Sequence, residues 1–279
     1  MTAVIKKLAS VLIVFGLVLP VPIFADAAGV TRSLSGVLNG KKKSIAVNVD
    51  SDTYNYIYNV PRLNCDQTPG CSSAPESDKV TIRDRLIITE PTQKAALAPL
   101  VAAIRAKTKK ADDQARLAIS MVQKIPYDTA KSDAIERGED THFRFPYEAI
   151  YDNQQVCGES SYLIAFLLSE LGYAAGVFVF PQAGHDTAAI KCPMKYSYKN
   201  TGYCFIESTY RNIITYDTMA TRYSGDYIFE ELTPTGREFS PKKDYKDAQS
   251  LKKIYAKWSK LSKKDRKKYK KIKKKYGLS

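Results

Sequence analysis

Cys157 opens the stretch VCGESSYLIAFLLSELGY, residues 156–173. Behind it Leu163, Leu167 and Leu171, with Ile164 and Leu168, recur at helical spacing and predict a helix from about Gly158 to Leu171, stopped by Gly172. A cysteine in or beside that first turn meets free N–H groups and the positive end of the helix dipole. Both favour a thiolate, and the same N–H groups can hold a developing oxyanion. Gly158 removes bulk beside the sulfur, while Ser160 and Ser161 either cap the turn or fill it. The competing reading of Cys157 is a small buried hydrophobe.

A thiolate nucleophile needs a base, and the chain has two histidines. His142 lies in the polar stretch GEDTHFRF and is expected to face solvent. His185, in PQAGHDTAAIKC, opens a predicted strand and is the better-mounted base; a surface histidine at a strand edge is the alternative. In YCFIEST, alternation puts Tyr203, Phe205 and Glu207 on one strand face. A carboxylate that shares a face with two aromatics needs a partner, and the imidazole of His185 would supply one. Asp186 and Asp217 are the alternative acids, although Asp186 should point away from its neighbour His185 on a strand. Gln154 and Gln155, just ahead of the cysteine, are candidate oxyanion donors or simply loop glutamines facing water.

Five cysteines in an exported chain leave one over if the protein is a monomer. Cys65 and Cys71 flank Thr68-Pro69-Gly70, and Cys192 and Cys204 flank a predicted hairpin connection, so two short disulfides leave Cys157 unpaired. A four-cysteine zinc site is the alternative, but spacings of six and twelve lack a zinc knuckle. No metal or other cofactor is expected.

The elements that must carry these residues form an α+β plan. Residues 28–43 are small and polar and predict a linker. SIAVNVDSDTYNYIYNV predicts two strands, one through Ile45, Val47 and Val49, the other through Tyr54, Tyr56, Tyr58 and Val60. KVTIRDRLIIT predicts a further strand. From Pro91 the pattern turns helical, interrupted at Pro99; then Leu117, Met121 and Ile125 mark an apolar stripe that ends at Pro126. The polar stretch 128–155 predicts a surface crossing of the kind that borders a cleft. AAGVFVFP, DTAAIKC, YCFIEST and NIITYDTMA predict an antiparallel sheet.

RFPYEAI, VCGESSYLIAFLLSELGY, GHDTAAIKC and GYCFIEST, in that order, resemble the transglutaminase-like superfamily of papain-related cysteine enzymes, and ARLAISMVQKIPYD resembles the helix that precedes its core. The likeness covers about residues 110–220. It implies a nucleophile helix packed on an antiparallel sheet, with Cys157 as nucleophile, His185 as base and Glu207 where the family more often has Asp. It implies a protein or peptide substrate, and either hydrolysis by a peptidase or acyl transfer by a transglutaminase; some members serve as non-catalytic scaffolds.

The ends differ from this middle. Lys6 and Lys7 precede an apolar stretch, and Ala25 and Ala27 have the spacing of a cleavage site, which predicts a secretory signal peptide over residues 1–27. A retained membrane anchor is the alternative, since Leu8–Phe24 spans 17 residues. Either way the protein is expected to be secreted or associated with the cell envelope. Of the net charge of +14, all resides beyond residue 241, where 17 Lys/Arg face 3 Asp. Leu251, Ile254, Tyr255, Trp258 and Leu261 repeat at helical spacing under those lysines. Such a tail fits an anionic membrane or envelope surface better than nucleic acid, which an exported protein seldom meets; a solvated extension is the alternative. The expected organisation is therefore a β-rich extension over 28–90, a catalytic domain over 91–240 and a basic tail over 241–279.

Overall fold

Asn39-Gly40 joins two ten-residue strands, β1 (Gly29–Leu38) and β2 (Lys41–Asp50), into an antiparallel hairpin. Both turn residues take positive φ, 51° and 78°, the geometry a two-residue hairpin turn requires. In this computed structural model, residues 29–61, 70–139, 141–217 and 226–278 are described. The expected signal segment lies outside them. Residues 28–43, expected as a linker, instead supply β1, because its alternate residues Leu34, Gly36 and Leu38 pack inward.

The second expected strand is a helix, α1 (Ser51–Tyr58). Asp50 caps it, accepting a hydrogen bond from Thr53 N at 2.7 Å, and that cap outweighs the strand preference of the alternating tyrosines. The stretch 79–89 is likewise helical, within α2 (Glu76–Thr89); Asp84, Ile87 and Ile88 are buried at helical spacing. α3 (Pro91–Lys107) runs unbroken through Pro99, held by its buried stripe Leu97, Leu100, Val101 and Ile104. α4 (Ala111–Val122) buries the stripe expected of it. The polar crossing contains two short helices, α5 (Thr129–Glu136) and α6 (Pro146–Asp152).

α7 (Cys157–Glu170) follows, and then β3 (Ala175–Phe180), β4 (His185–Lys191), β5 (Tyr203–Ile206) and β6 (Ile228–Thr233) form a four-stranded antiparallel sheet in the order β5-β4-β3-β6. NIITYD, expected as sheet, is a turn in which Thr215 takes a φ of 75°; the fourth strand comes from Ile228 onward. One sheet face, with Val177, Ala188, Ile190 and Ile206, packs on α7. Behind the other, Phe178, Phe180, Tyr198, Tyr203 and Phe205 form an aromatic layer. The main hydrophobic core runs from the β1–β2 hairpin through α3, α4 and α7 to this sheet without a break at residue 90.

Cys192 and Cys204 form a disulfide across the β4–β5 connection. Cys71 is also disulfide-bonded; its expected partner, Cys65, lies outside the described residues. These bonds fit folding in an oxidising compartment. Among the described residues no helix is long and apolar enough to cross a membrane. The Lys-rich tail is folded: α8 (Lys242–Tyr255) and α9 (Lys263–Tyr276) pack as a helical hairpin on Ile213 and Tyr216 through Ala248, Leu251 and Ile272.

Candidate active site

Cys157 is the first residue of α7 and is half-exposed, at a helix end whose first N–H groups have no carbonyl partner within the helix. Among the described residues it is the free cysteine. His185, the first residue of β4, has Cys157 on one side, its Sγ 3.9 Å from the carbonyl of the preceding Gly184. On the other, its Nε2 stands 3.4 Å from Glu207 Oε1. Glu207 follows the last residue of β5, and the register that pairs Ala188 with Ile206 sets it diagonal to His185 when carried one residue further. Three residues that lie 28 and 22 positions apart in sequence thus meet at one end of the sheet.

Buried Glu207 also accepts hydrogen bonds through Oε1 from Ser208 N (3.0 Å), Thr209 N (3.1 Å) and Thr209 Oγ1 (2.8 Å), which fix its direction. Burial pushes this carboxyl up, but the His185 hydrogen bond and charge, with the Thr209 donors, outweigh it and hold it below the usual range. Burial pulls His185 down, yet its hydrogen bonds to Cys157 and Glu207 and their negative charges raise it to about 10. The arrangement favours the imidazolium form of His185.

A buried charge network holds the nucleophile turn. Glu159, fully buried, accepts a hydrogen bond from Val156 N at 2.9 Å, closing the start of α7. It also accepts from Arg144 N at 2.8 Å, pairs with the Arg144 guanidinium at 3.2 Å, and binds Lys131. Arg144 reaches on to Asp128 (2.8 Å) and Asp152 (2.7 Å). Gly158 allows a close approach: a Cβ there would stand 2.9 Å from Asp186 Oδ2 and 3.1 Å from the Phe143 ring.

The remaining candidates fall elsewhere. Gln155 is buried and donates its amide N–H to Val122 O at 2.8 Å, so that N–H is not aimed at the sulfur. The backbone pairing of Gln155 with Pro126 and Asp128 turns its side chain into the core. Gln154 is exposed in the link between α6 and α7. His142, expected to face solvent, is half-buried; it bonds Glu148 at 2.6 Å and stacks on Tyr58 with ring centroids 4.0 Å apart. Asp186 points to the Gly158 side, and burial raises it to about 6 despite the His185 charge. Asp217 acts on Tyr198.

Tyr127 joins the surroundings of the nucleophile turn without a motif of its own. It bridges to Gln155 beside the nucleophile turn, is 39% exposed, and is raised first by burial and then by charges that include Cys157. Its hydroxyl donates to Ser132 at 3.1 Å. A tyrosine directly after the helix-ending Pro126 was the signal available. No known family model matches the chain, and neither a curated protein nor a solved structure matches it.

Proposed function

We propose that the protein is an exported cysteine amidohydrolase with a transglutaminase-like core, a peptidase acting on amide bonds of protein or cell-wall peptide. The observation that carries this reading is His185 held between Cys157 and Glu207 at the amino-terminal end of α7.

Cys157 attacks the amide carbonyl with its thiol proton passed to His185, and a carbon–sulfur bond forms as the carbonyl becomes an oxyanion. The first-turn N–H groups of α7 stabilise that oxyanion. The carbon–nitrogen bond breaks, His185 gives its proton to the departing amine, and a thioester remains. Water then adds to the thioester, His185 takes one of its protons and returns it to sulfur, and the acid leaves. Glu207 stays ionised throughout and keeps the ring oriented.

The half-exposed Cys157 supports hydrolysis over transfer to an amine, because among the described residues it is left open to water. The test is product analysis on a peptide library with wild type and Cys157→Ala, with and without an added primary amine. Release of new amino termini by wild type alone is expected. Amine incorporation in place of release would make the protein a transglutaminase, and identical products from the two chains would make it a non-catalytic scaffold.

A further inference from the structure

The α8–α9 hairpin separates its charges by sign. Its acids are all engaged: buried Asp244 pairs with Arg116 at 2.7 Å and accepts from the Tyr276 hydroxyl, Asp247 pairs with Lys275 at 2.7 Å, and Asp265, at the surface, accepts from Ser262 at the start of α9 and pairs with Lys257 at 2.8 Å. Its apolar residues Ala248, Leu251 and Ile272 are spent on the body of the protein. What remains outside is lysine: Lys260, Lys263, Lys264, Lys267, Lys270 and Lys271 are all exposed.

Beside these lysines, where α8 gives way to α9, two large rings stand in water. Trp258 is 52% exposed and Tyr255 45%. They are held in place, not dangling: Trp258 meets Tyr269 edge-on at 5.1 Å and Tyr255 at 5.8 Å, and Tyr255 leans on Tyr216 and Tyr269. A soluble polyanion would be satisfied by the lysines alone. Lysines together with an exposed, rigidly mounted tryptophan and tyrosine match a bilayer surface, where phosphate headgroups take the ammonium groups and the amphipathic rings settle at headgroup depth.

We infer that the α8–α9 hairpin is a docking surface for a lipid bilayer bearing anionic headgroups, with Trp258 and Tyr255 entering the interface. The inference stands apart from the catalytic reading, since it uses none of the residues near Cys157.

Trp258 is the single tryptophan of the chain, so tryptophan emission, excited beyond the tyrosine band, reports on this surface alone. The full chain and its Lys263→Gln/Lys264→Gln/Lys267→Gln/Lys271→Gln variant are mixed with vesicles of phosphatidylcholine, or of phosphatidylcholine with phosphatidylglycerol. Both chains keep the same amino-terminal segment, so any difference belongs to the tail. With the anionic vesicles, wild-type emission shifts to the blue, acrylamide quenches it less, and added salt reverses both. The variant loses at least about tenfold in partitioning, as four surface charges should. A Lys264→Gln/Lys267→Gln chain falls between. No fluorescence change with anionic vesicles, or equal partitioning of wild type and variant, would overturn the proposal. So would an equal change on adding soluble polyphosphate or an oligonucleotide without vesicles, which would reassign the surface to a soluble polyanion.

Discussion

Around the first turn of α7, charge is buried and answered: Glu159 sits without exposure between Arg144 and Lys131, and Arg144 is shared with Asp128 and Asp152. Along α9 the opposite holds, for its lysines crowd one another on the water side while each acid of the hairpin is already paired. Burying ions costs several kcal/mol each, so the first arrangement is worth keeping only where position matters. The second costs little in water and leaves an electrostatic field facing outward, which matters only to a partner. Dense charge thus serves geometry in one region and attraction in the other.

The comparison breaks most visibly through the sulfur. Cys157→Ala should lower product release by about three or more powers of ten while leaving the melting temperature nearly unchanged, as measured by peptide turnover and calorimetry. His185→Ala should slow iodoacetamide labelling of Cys157 at about neutral pH, read by intact mass. Next comes the network: Arg144→Met leaves Glu159 and Asp128 short of a partner and should cost about 3–5 kcal/mol in urea unfolding. Gly158→Ala should cost about 1–3 kcal/mol, because Asp186 or Phe143 must shift, and turnover should fall with it.

The pH dependence sharpens the same contrast. Glu207 is held below its ordinary value, so its contribution to stability is present above that value and is lost as the pH falls through the folded one. His185 runs the other way: its contribution is complete below about 6.5 and is lost as the pH rises through about 10. Wild type should therefore exceed Glu207→Gln in urea midpoint between these limits, with the gap closing at both ends. The smallest effect belongs to the tail. The fourfold Lys→Gln variant should unfold within about 0.5 kcal/mol of wild type, since exposed like charges add little to the fold.

The local pattern made the α7 helix, the three core strands and the Cys157–His185–Glu207 set legible, because each shows as a periodicity or a scarce residue type. Two histidines leave little choice of base. What stayed hidden was set by single positions or by tertiary contact. The Asn39-Gly40 turn marks the hairpin, yet the lysine run after it suggested a linker. Alternating tyrosines in α1 look like a strand until Asp50 is recognised as a cap. Gln155, expected in a loop, is buried because backbone pairing with Pro126 and Asp128, distant in sequence, draws it into the core. Arg144 and Glu159 lie in stretches that read as ordinary polar loop and helix, and only folding brings them together.

The end of α9 touches the start of the fold. Gly40 N donates to Lys275 O at 2.9 Å, and Arg211 donates to Gly277 O at 2.9 Å. The first hairpin and the last helix therefore complete each other across more than two hundred residues of intervening chain. Contacts that far apart carry a large loop-closure cost and form late. During synthesis, when residues emerge in order, the β1–β2 hairpin must wait with its α9 contact unmade until the basic helix has been made. A chain halted before that point would present the turn at Gly40 open to proteases, so sensitivity at this turn is a clock for completed folding.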